Sequence, residues 1–283
     1  MWKIVLRITL GLAATTAAAL AYGSYRWQSE TNQMHARLDA GRLPIGPTIY
    51  HTSELIGLPA PVQRYVRAAL TDGQPMIAAV TLEHTGTFNM SLTTDQWKPF
   101  TSTQRVITQR PGFDWEARIA LLPGLPVRVH DAYIAGEGML HASLFGLVSV
   151  ANMRGTPEAA QGELLRWFAE TAWYPTALLP SQGVRWTAVD DTSATAMQDG
   201  DTSVTLLFRF HADGLIDSMR AEARGALIDG VNVPTPWEGR WSRYELRDGM
   251  RVPIEGEVAW MLPAGPWPYW RGRITSIAYE FAP

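Results

Sequence analysis

The amino-acid sequence predicts a mainly β, α+β fold. A large curved antiparallel sheet or half-barrel of about 10–12 strands is covered by helices and preceded by an N-terminal membrane helix. The first observation is the alternation of apolar and polar residues from Met76 onward, which places Val80, Leu82 and His84 on one face. The second is a series of turn signals typical of antiparallel strands that are wetted on one face. These signals are Pro-Gly at 111–112 and 123–124 and Asp-Gly at 199–200, 213–214, 229–230 and 248–249.

Further segments of the chain have the same alternating pattern and are predicted as strands. In one of them, the alternation places Met219 on the apolar side and Arg224 on the polar side. The pattern therefore predicts that Arg224 faces water. The segments are 113–121, 127–133, 204–210, 219–224, 237–246, 251–261 and 271–281.

Two helices are predicted to cover the apolar face of this sheet. One begins at Pro59 and ends before the turn signal at 72–73, with proline in its first turn. The other lies in a helical insert at 144–175, where Thr156 and Pro157 form a start signal for an amphipathic helix that reaches Trp173. The order is therefore strands, a helical insert and more strands.

The N-terminus predicts export. Lys3 and Arg7 precede an uncharged run at 8–22, so the rest of the chain is expected outside the cytoplasm, anchored to the bacterial inner membrane. An A-x-A pattern at 19–21 leaves secretion after cleavage behind Ala21 as the alternative. The predicted organisation is a signal anchor or signal peptide at 1–23, a helix and linker at 24–57, and the helix-covered β domain at 58–283.

Composition excludes several classes of protein. The 283 residues are 46% hydrophobic and 18% charged, with a net charge of −3 and no cysteine. This excludes a disordered chain and a disulfide scaffold, and the absence of a basic footprint argues against nucleic-acid binding. The six histidines lack metal-ligand spacing, and no phosphate-binding loop or nucleophile elbow occurs. No cofactor is expected.

Two polar residues lie on predicted apolar strand faces. His84 follows Leu82, and Asp131 shares a face with Val129 and Tyr133. Burying either side chain without a partner costs several kcal/mol, on the order of a lost charged hydrogen bond or more. They are therefore predicted either to form a polar spot within a ligand pocket or to be satisfied in a structural pair.

The helix in the insert carries a second unusual group. Glu163, Arg166, Glu170 and Trp173 lie on one side, where Arg166 can pair with Glu163 at i−3 and with Glu170 at i+4. On a solvated face this would be an ordinary ion-pair ladder, but the same side carries two tryptophans, Trp167 and Trp173, and large aromatic residues are usually covered. The group is therefore predicted to be either a structural network or a site that faces a cleft. Aromatic residues also recur near the C-terminus, suited to carbohydrate stacking, lipid headgroups or a well-filled core. These are Trp237, Trp241, Tyr244, Trp260, Trp267, Tyr269 and Trp270.

Several short motifs support a resemblance to a known family. They are LPAPVQRY at 58–65, WKPF at 97–100, PGFDWEAR at 111–118, DAY at 131–133, GEG at 136–138, GELLRWFAE at 162–170, WYPTALLP at 173–180, PWEG at 236–239 and PYWR at 268–271. With these motifs the chain resembles a family of uncharacterised bacterial envelope proteins, which implies no activity. At the level of fold it is similar to the periplasmic lipoprotein carriers of the Lol system, which hold acyl chains in a half-barrel.

Three functions follow as expectations. The first is a non-enzymatic envelope protein that binds a lipid or another amphiphile, with Glu163, Arg166 and Glu170, or His84 and Asp131, near the mouth of the cavity. The second is a carboxylate-dependent hydrolase, with Glu170 or Asp131 as general base and Arg166 stabilising an anion. The third is a structural or assembly protein of the envelope.

Overall fold

A single sheet dominates the computed structural model, which describes residues 1–122, 124–198, 202–228 and 231–283. Within these residues the sheet has 13 strands, and every neighbouring pair is antiparallel. The strands are β1 Ile77–Asn89, β2 Trp97–Ile107, β3 Gly112–Leu122, β4 Leu125–Ile134, β5 Glu137–Leu144, β6 Val148–Arg154, β7 Val184–Asp190, β8 Ser193–Gln198, β9 Val204–Phe210, β10 Ile216–Ile228, β11 Val231–Arg247, β12 Met250–Leu262 and β13 Gly265–Phe281.

The strand order places the first and last strands side by side at the middle of the sheet. It is β6-β5-β4-β3-β2-β1-β13-β12-β11-β10-β9-β8-β7. The first six strands therefore form one half and the last seven form the other. The two halves join where β1 pairs with β13, for example Val80 with Tyr279. The edge strands β6 and β7 are connected by the helical segment.

Three α-helices accompany the sheet: α1 Trp2–Ala40, α2 Ala60–Ala69 and α3 Pro157–Ala169. Helix α3 contacts β3, β4 and β5 in one half of the sheet and β9 and β10 in the other. Strands β5 and β10 are eight positions apart, which is about 38 Å across a flat sheet, whereas a helix is about 10–12 Å wide. The sheet must therefore curve around α3, as predicted, and the face that carries α3 is its inner face.

Close backbone contact holds α3 on the inner face. A Cβ atom at Gly138 of β5 would lie 2.3 Å from the carbonyl group of Ala159, so only glycine allows this approach. The Thr156 hydroxyl accepts a hydrogen bond from the Ala159 amide at 3.1 Å and caps the helix. The indole of Trp167 donates to the Ile107 carbonyl at 3.1 Å. Helix α3 is thus fixed at its start and near its end.

Helix α1 lies partly on the opposite, outer face. Its second half buries a stripe at helical spacing against the first half of the sheet. This stripe consists of Gly23, Trp27, Thr31, Met34 and Leu38. Its first half is exposed, and the helix contains a stretch long and apolar enough to cross a membrane, judged by length and composition. The helix is unbroken across the predicted boundary between 1–23 and 24–57.

A buried polar cluster also ties α1 to the sheet. Asp114 of β3 accepts from His130 at 3.0 Å and lies 3.2 Å from His35 of α1. Thr31 of α1 contacts the other ring nitrogen of His130 at 3.0 Å. Burial raises the pKa of Asp114, but the bonds from His130 and His35 outweigh it and leave this pKa lowered. Among the described residues, no group of three or more His, Asp or Glu could hold a metal ion.

The structure confirms the fold class and refines three details. The described strands number 13 rather than about 10–12. The predicted insert at 144–175 becomes helical only at Pro157, because 148–154 forms the exposed edge strand β6. A short apolar run has no periodicity that separates strand from helix. The turns at 111–112, 213–214 and 248–249 connect strands, whereas 199–200, 229–230 and residue 123 lie outside the described residues.

Candidate functional site

A cavity of about 500 Å³ lies between α3 and the inner face of the sheet. Most of its wall is apolar, and part of it is polar or charged. The apolar and aromatic wall residues include Phe88, Met90, Leu92, Trp115, Leu140, Met153, Met219, Trp237, Trp241, Val258, Trp260, Tyr269 and Trp270. The polar and charged ones include Asn89, Ser91, Asp131, Glu163, Arg166, Glu170 and Arg224.

Glycines in the sheet make room for the aromatic wall. Gly86, Gly272 and Gly256 pair side by side across β1, β13 and β12. A Cβ atom at Gly272 would lie 2.2 Å from the Trp270 ring, and one at Gly256 would lie 2.5 Å from the Trp241 ring. The two indoles therefore lie directly on the backbone of the central strands. Because this row has no side chains, the rings of Trp241 and Trp270 form the part of the cavity wall next to the central strands, which is the aromatic floor of the cavity.

Arg166 forms the centre of one charged group. Its guanidinium donates to Glu170 at 2.8 Å and to Asp131 at 2.6 Å, and lies over the rings of Phe113 and Trp115 at 4.8 and 5.0 Å. Burial alone would lower the pKa of Arg166, but the nearby carboxylates outweigh it and raise this pKa. The pairing with Glu170 at i+4 confirms the spacing argument. The alternative of a solvated ladder is wrong, because the side chains of Arg166, Asp131 and Glu170 are only 11–16% exposed.

Arg224 forms the centre of a second group. It donates to Glu163 at 3.1 Å and to the Gly162 carbonyl at 3.1 Å, and lies over the rings of Trp237 and Trp260 at 4.9 and 5.7 Å. The sequence pattern placed Arg224 on the water-facing side, which is wrong. A bulge between Ala221 and Arg224 shifts the register of β10 against β11 and turns Arg224 inward. Glu163 accordingly pairs with Arg224 and not with Arg166.

Glu163 and Asp131 are neighbouring carboxyl groups, each bonded to a different one of the two arginines. Burial and then the neighbouring Asp131 carboxylate raise the pKa of Glu163 to about 8, against the opposing effect of Arg224 and Arg166. One oxygen of each side chain bonds to an arginine. Within the described part of the chain, the other two oxygens, Asp131 Oδ1 and Glu163 Oε2, are buried without a hydrogen-bond partner. A proton held by Glu163 hydrogen-bonds to Asp131 and satisfies the pair.

His84 and Trp173 lie behind the cavity wall. The rings of His84 and Trp173 are 5.0 Å apart, and Trp173 in turn contacts Trp241 at 4.7 Å. His84 Nδ1 lies 3.3 Å from the Ser102 hydroxyl. Of the six predicted site residues, the cavity brings together Asp131, Glu163, Arg166 and Glu170, while these two support its aromatic floor.

His84 makes the stability of the protein depend on pH. Burial and the charge of Arg166 lower the pKa of His84 from 6.5 to about 3. Between these values the unfolded chain binds the proton and the folded protein does not. The contribution of His84 to stability is thus complete above pH 6.5 and is lost as the pH falls toward 3, by up to about 1.4 kcal/mol per pH unit.

Urea unfolding of the protein and of a His84→Gln variant at several pH values measures this effect. The free energy of unfolding should fall more steeply for the unsubstituted protein between pH 6.5 and 4. Parallel curves would contradict the assignment of a neutral buried imidazole.

Comparison with known proteins places most of the chain in one family. Residues 56–279 match the family model described as "Family of unknown function (DUF6920)". The chain belongs to this family. The match covers the whole sheet apart from the end of β13, together with α2 and α3, so the cavity is part of the DUF6920 region. Membership of this family does not indicate an activity, because the function of DUF6920 is unknown.

The other two comparisons were made with solved structures and with curated proteins. A solved structure of a LolA superfamily protein from Nitrosomonas europaea has 10% sequence identity and a TM-score of 0.38, covering 79% of this chain and 93% of that chain. A likeness at this distance does not indicate a function. No curated protein matches the DUF6920 chain.

Proposed function

We propose that this protein is an exported envelope protein that binds a hydrophobic or amphiphilic ligand in the cavity between α3 and the sheet. The observation that carries the proposal is the wall of the cavity, where an aromatic and aliphatic surface adjoins a small charged cluster. Ligand sites in proteins typically have this mixed lining and a volume of about 300–1,000 Å³. The volume of about 500 Å³ suits one ligand of moderate size.

The state of the carboxylates favours binding over hydrolysis. Glu170 and Asp131, the two candidate general bases, both accept from Arg166 at 2.6–2.8 Å. A general base must be able to take up a proton, which a close ion pair with a guanidinium opposes. The exposed apolar half of α1 supports anchoring in a membrane, where an amphiphilic ligand would be available.

Native mass spectrometry of the full chain, purified from a bacterial envelope and then extracted with solvent, tests the proposal. A stoichiometric adduct that extracts as lipid is expected. Met153, on the cavity wall in β6, provides the variant: Met153→Trp should narrow the cavity and lower the adduct or the affinity for decan-1-ol at least about 10-fold.

Val150→Trp is the matched control, since Val150 lies on the same exposed strand and does not line the cavity. It should retain the adduct. A bare mass together with no binding of decan-1-ol, decanoate or decylamine would refute the proposal and favour a structural or enzymatic role.

A further inference from the structure

Helix α1 leaves the domain at one end of the sheet, beside the turn that follows β5. Gly23 is the first buried residue of α1, and a Cβ atom at Gly23 or at Gly146 would overlap the backbone of the other segment. The part of α1 before Gly23 is about 32 Å long, and the hydrocarbon core of a bilayer is about 30 Å thick. When that part spans a membrane, no length is left to hold the domain away from it. The turn at 145–147 must then lie at the membrane surface.

The hairpin between β3 and β4 reaches further in the same direction. Arg128 of β4 donates a hydrogen bond to Ser24, and Leu38 packs in one cluster with Ile134, so α1 and β4 run side by side with the same polarity. Strand β4 begins three residues before Arg128, which is about 10 Å closer to the membrane. Leu122 is at this tip of the hairpin. The tip therefore lies deeper than Ser24.

Both of these hairpins end in exposed apolar residues. Leu122 is 60% exposed, Phe145 is 37% exposed and Val148 is 59% exposed. The segments 122–125 and 144–148 contain no charged residue. Hairpin tips in water are usually built from glycine, asparagine, aspartate and other polar residues. Exposed apolar residues grouped in this way are typical of a surface that contacts a partner or a membrane.

The backbone at Phe145 supports a role outside the folded domain. The Leu147 amide donates to the Leu144 carbonyl at 2.9 Å and closes a turn in which Phe145 and Gly146 have φ of +55° and +70°. A turn with left-handed backbone at both central positions favours Asn-Gly, and a bulky aromatic residue is strained there. The packing of the domain does not account for phenylalanine at this position, whereas a bilayer interface would bury its ring.

Two arginines lie beside the exit of α1, above the tip of the β3–β4 hairpin. Arg118 of β3 and Arg128 of β4 are direct cross-strand partners. In the part of the chain that the structure describes, neither forms an ion pair with a carboxylate. Burial and then the charge of Arg118 lower the pKa of Arg128, with Glu116 opposing them. Like charges directly opposite each other in a sheet are destabilising, and a phosphate group bound by both guanidinium groups would remove the repulsion.

We propose that this end of the domain rests on the surface of an anionic lipid bilayer, with Leu122 and Phe145 in the interface and the arginine pair on lipid phosphates. This inference rests on the membrane anchoring in the proposed function and adds a second contact with the same membrane. The apolar tip lies deeper than the arginines, which is the order of acyl chains and headgroups in a bilayer. The connection after β1 lies at the same end of the sheet, and its Met90 and Leu92 line the cavity.

Fluorescence quenching in nanodiscs tests the docking of the hairpin tips. The chain has no cysteine, so the full-length variants Leu122→Cys, Phe145→Cys and Ala135→Cys each accept a single fluorescent label. The bilayer is an equimolar mixture of phosphatidylcholine and phosphatidylglycerol that contains phosphatidylcholine spin-labelled in its acyl chain. Quenching at 122 and 145 should be at least about 3-fold stronger than at 135. Ala135 is the matched control, because with Gly136 it forms a turn with the same left-handed φ at the opposite end of the sheet.

A label in Leu12→Cys, in the exposed half of α1, shows separately whether the anchor is inserted. If this label is quenched while those at 122 and 145 are not, the docking surface is refuted and the anchored, ligand-binding protein stands. If the label at 12 is not quenched, the anchoring in the proposed function fails and the docking surface fails with it. Labels at 122 and 145 that are shielded from iodide in water but not quenched by the lipid would mean that protein covers this end, which also refutes the docking surface.

The arginine pair is tested by the lipid that stays with the protein. After mild extraction from the same bilayers without spin label, native mass spectrometry should show phosphatidylglycerol enriched at least about 3-fold over phosphatidylcholine. Arg118→Gln combined with Arg128→Gln should remove this enrichment. Arg110→Gln combined with Arg247→Gln changes two arginines at the opposite end of the sheet and should retain it. Equal retention of the two lipids, or enrichment that survives the first pair of substitutions, would refute the contact with lipid phosphates.

Discussion

Replacing Arg166 with methionine should lower the free energy of unfolding by about 3–5 kcal/mol, because it removes the positive partner of two carboxylates under the sheet. Asp131 and Glu170 would remain in the cavity wall without the guanidinium that they share at 2.6 and 2.8 Å. Methionine retains much of the aliphatic volume of arginine. The decrease in the free energy of unfolding is therefore caused mainly by removal of the charge and less by a change in packing. Urea unfolding followed by circular dichroism measures the change.

A surface ion pair provides the control. Arg247 donates to Glu245 at 2.6 Å, and both side chains are more than one third exposed. Arg247→Met should therefore cost less than about 1 kcal/mol. Similar losses in the two variants would mean that the Arg166 group is no more buried than an ordinary surface pair.

Replacing Gly138 with alanine should lower the free energy of unfolding by about 1–3 kcal/mol and weaken ligand binding. The new methyl group would lie 2.3 Å from the backbone of Ala159, which cannot rotate away as a side chain can. Helix α3 would have to move from β5, and with it Glu163 and Arg166 on the cavity wall. Thermal unfolding and calorimetry with decan-1-ol measure the two effects.

Gly162→Ala on the same helix is the matched control. A Cβ atom there meets only the Arg224 Nε, at an ordinary contact distance of 3.7 Å. Alanine in a helix is up to about 1 kcal/mol more favourable than glycine, so this variant should be neutral or more stable. Equal destabilisation of both variants would indicate that α3 does not depend on the close contact at Gly138.

The general fold could be predicted because alternation is a local property that one face of the sheet imposes on each strand. The run of alternating residues around Leu82 and the helix start at Thr156 each depend on neighbours within a few positions. The edge strand β6 was harder to predict from the sequence, because its apolar residues are exposed and not packed against the core. Nothing in its local pattern distinguishes it from the helical segment that follows.

The candidate site could be predicted only in part. Asp131 is a polar residue on an apolar strand face, and Arg166 lies on a charged helix side that also carries Trp173, so both contrasts are visible in the sequence. Arg224 had no such signal, because its inward orientation depends on a bulge that shifts β10 by one residue against β11. For the same reason, the choice of Arg224 as the partner of Glu163 depends on two strands and a helix that meet only in the folded protein.

The continuity of α1 limits how the domain can move. Its 39 residues form a rod of about 58 Å, half of it packed on the outer face of the sheet, without a hinge between the halves. A tilt or rotation of the exposed half is therefore transmitted directly to the domain. In a chain held in a bilayer by that half, the orientation of the cavity above the lipid headgroups would follow the tilt of the helix. The proposed ligand would then be exchanged next to the membrane surface and not carried away from it.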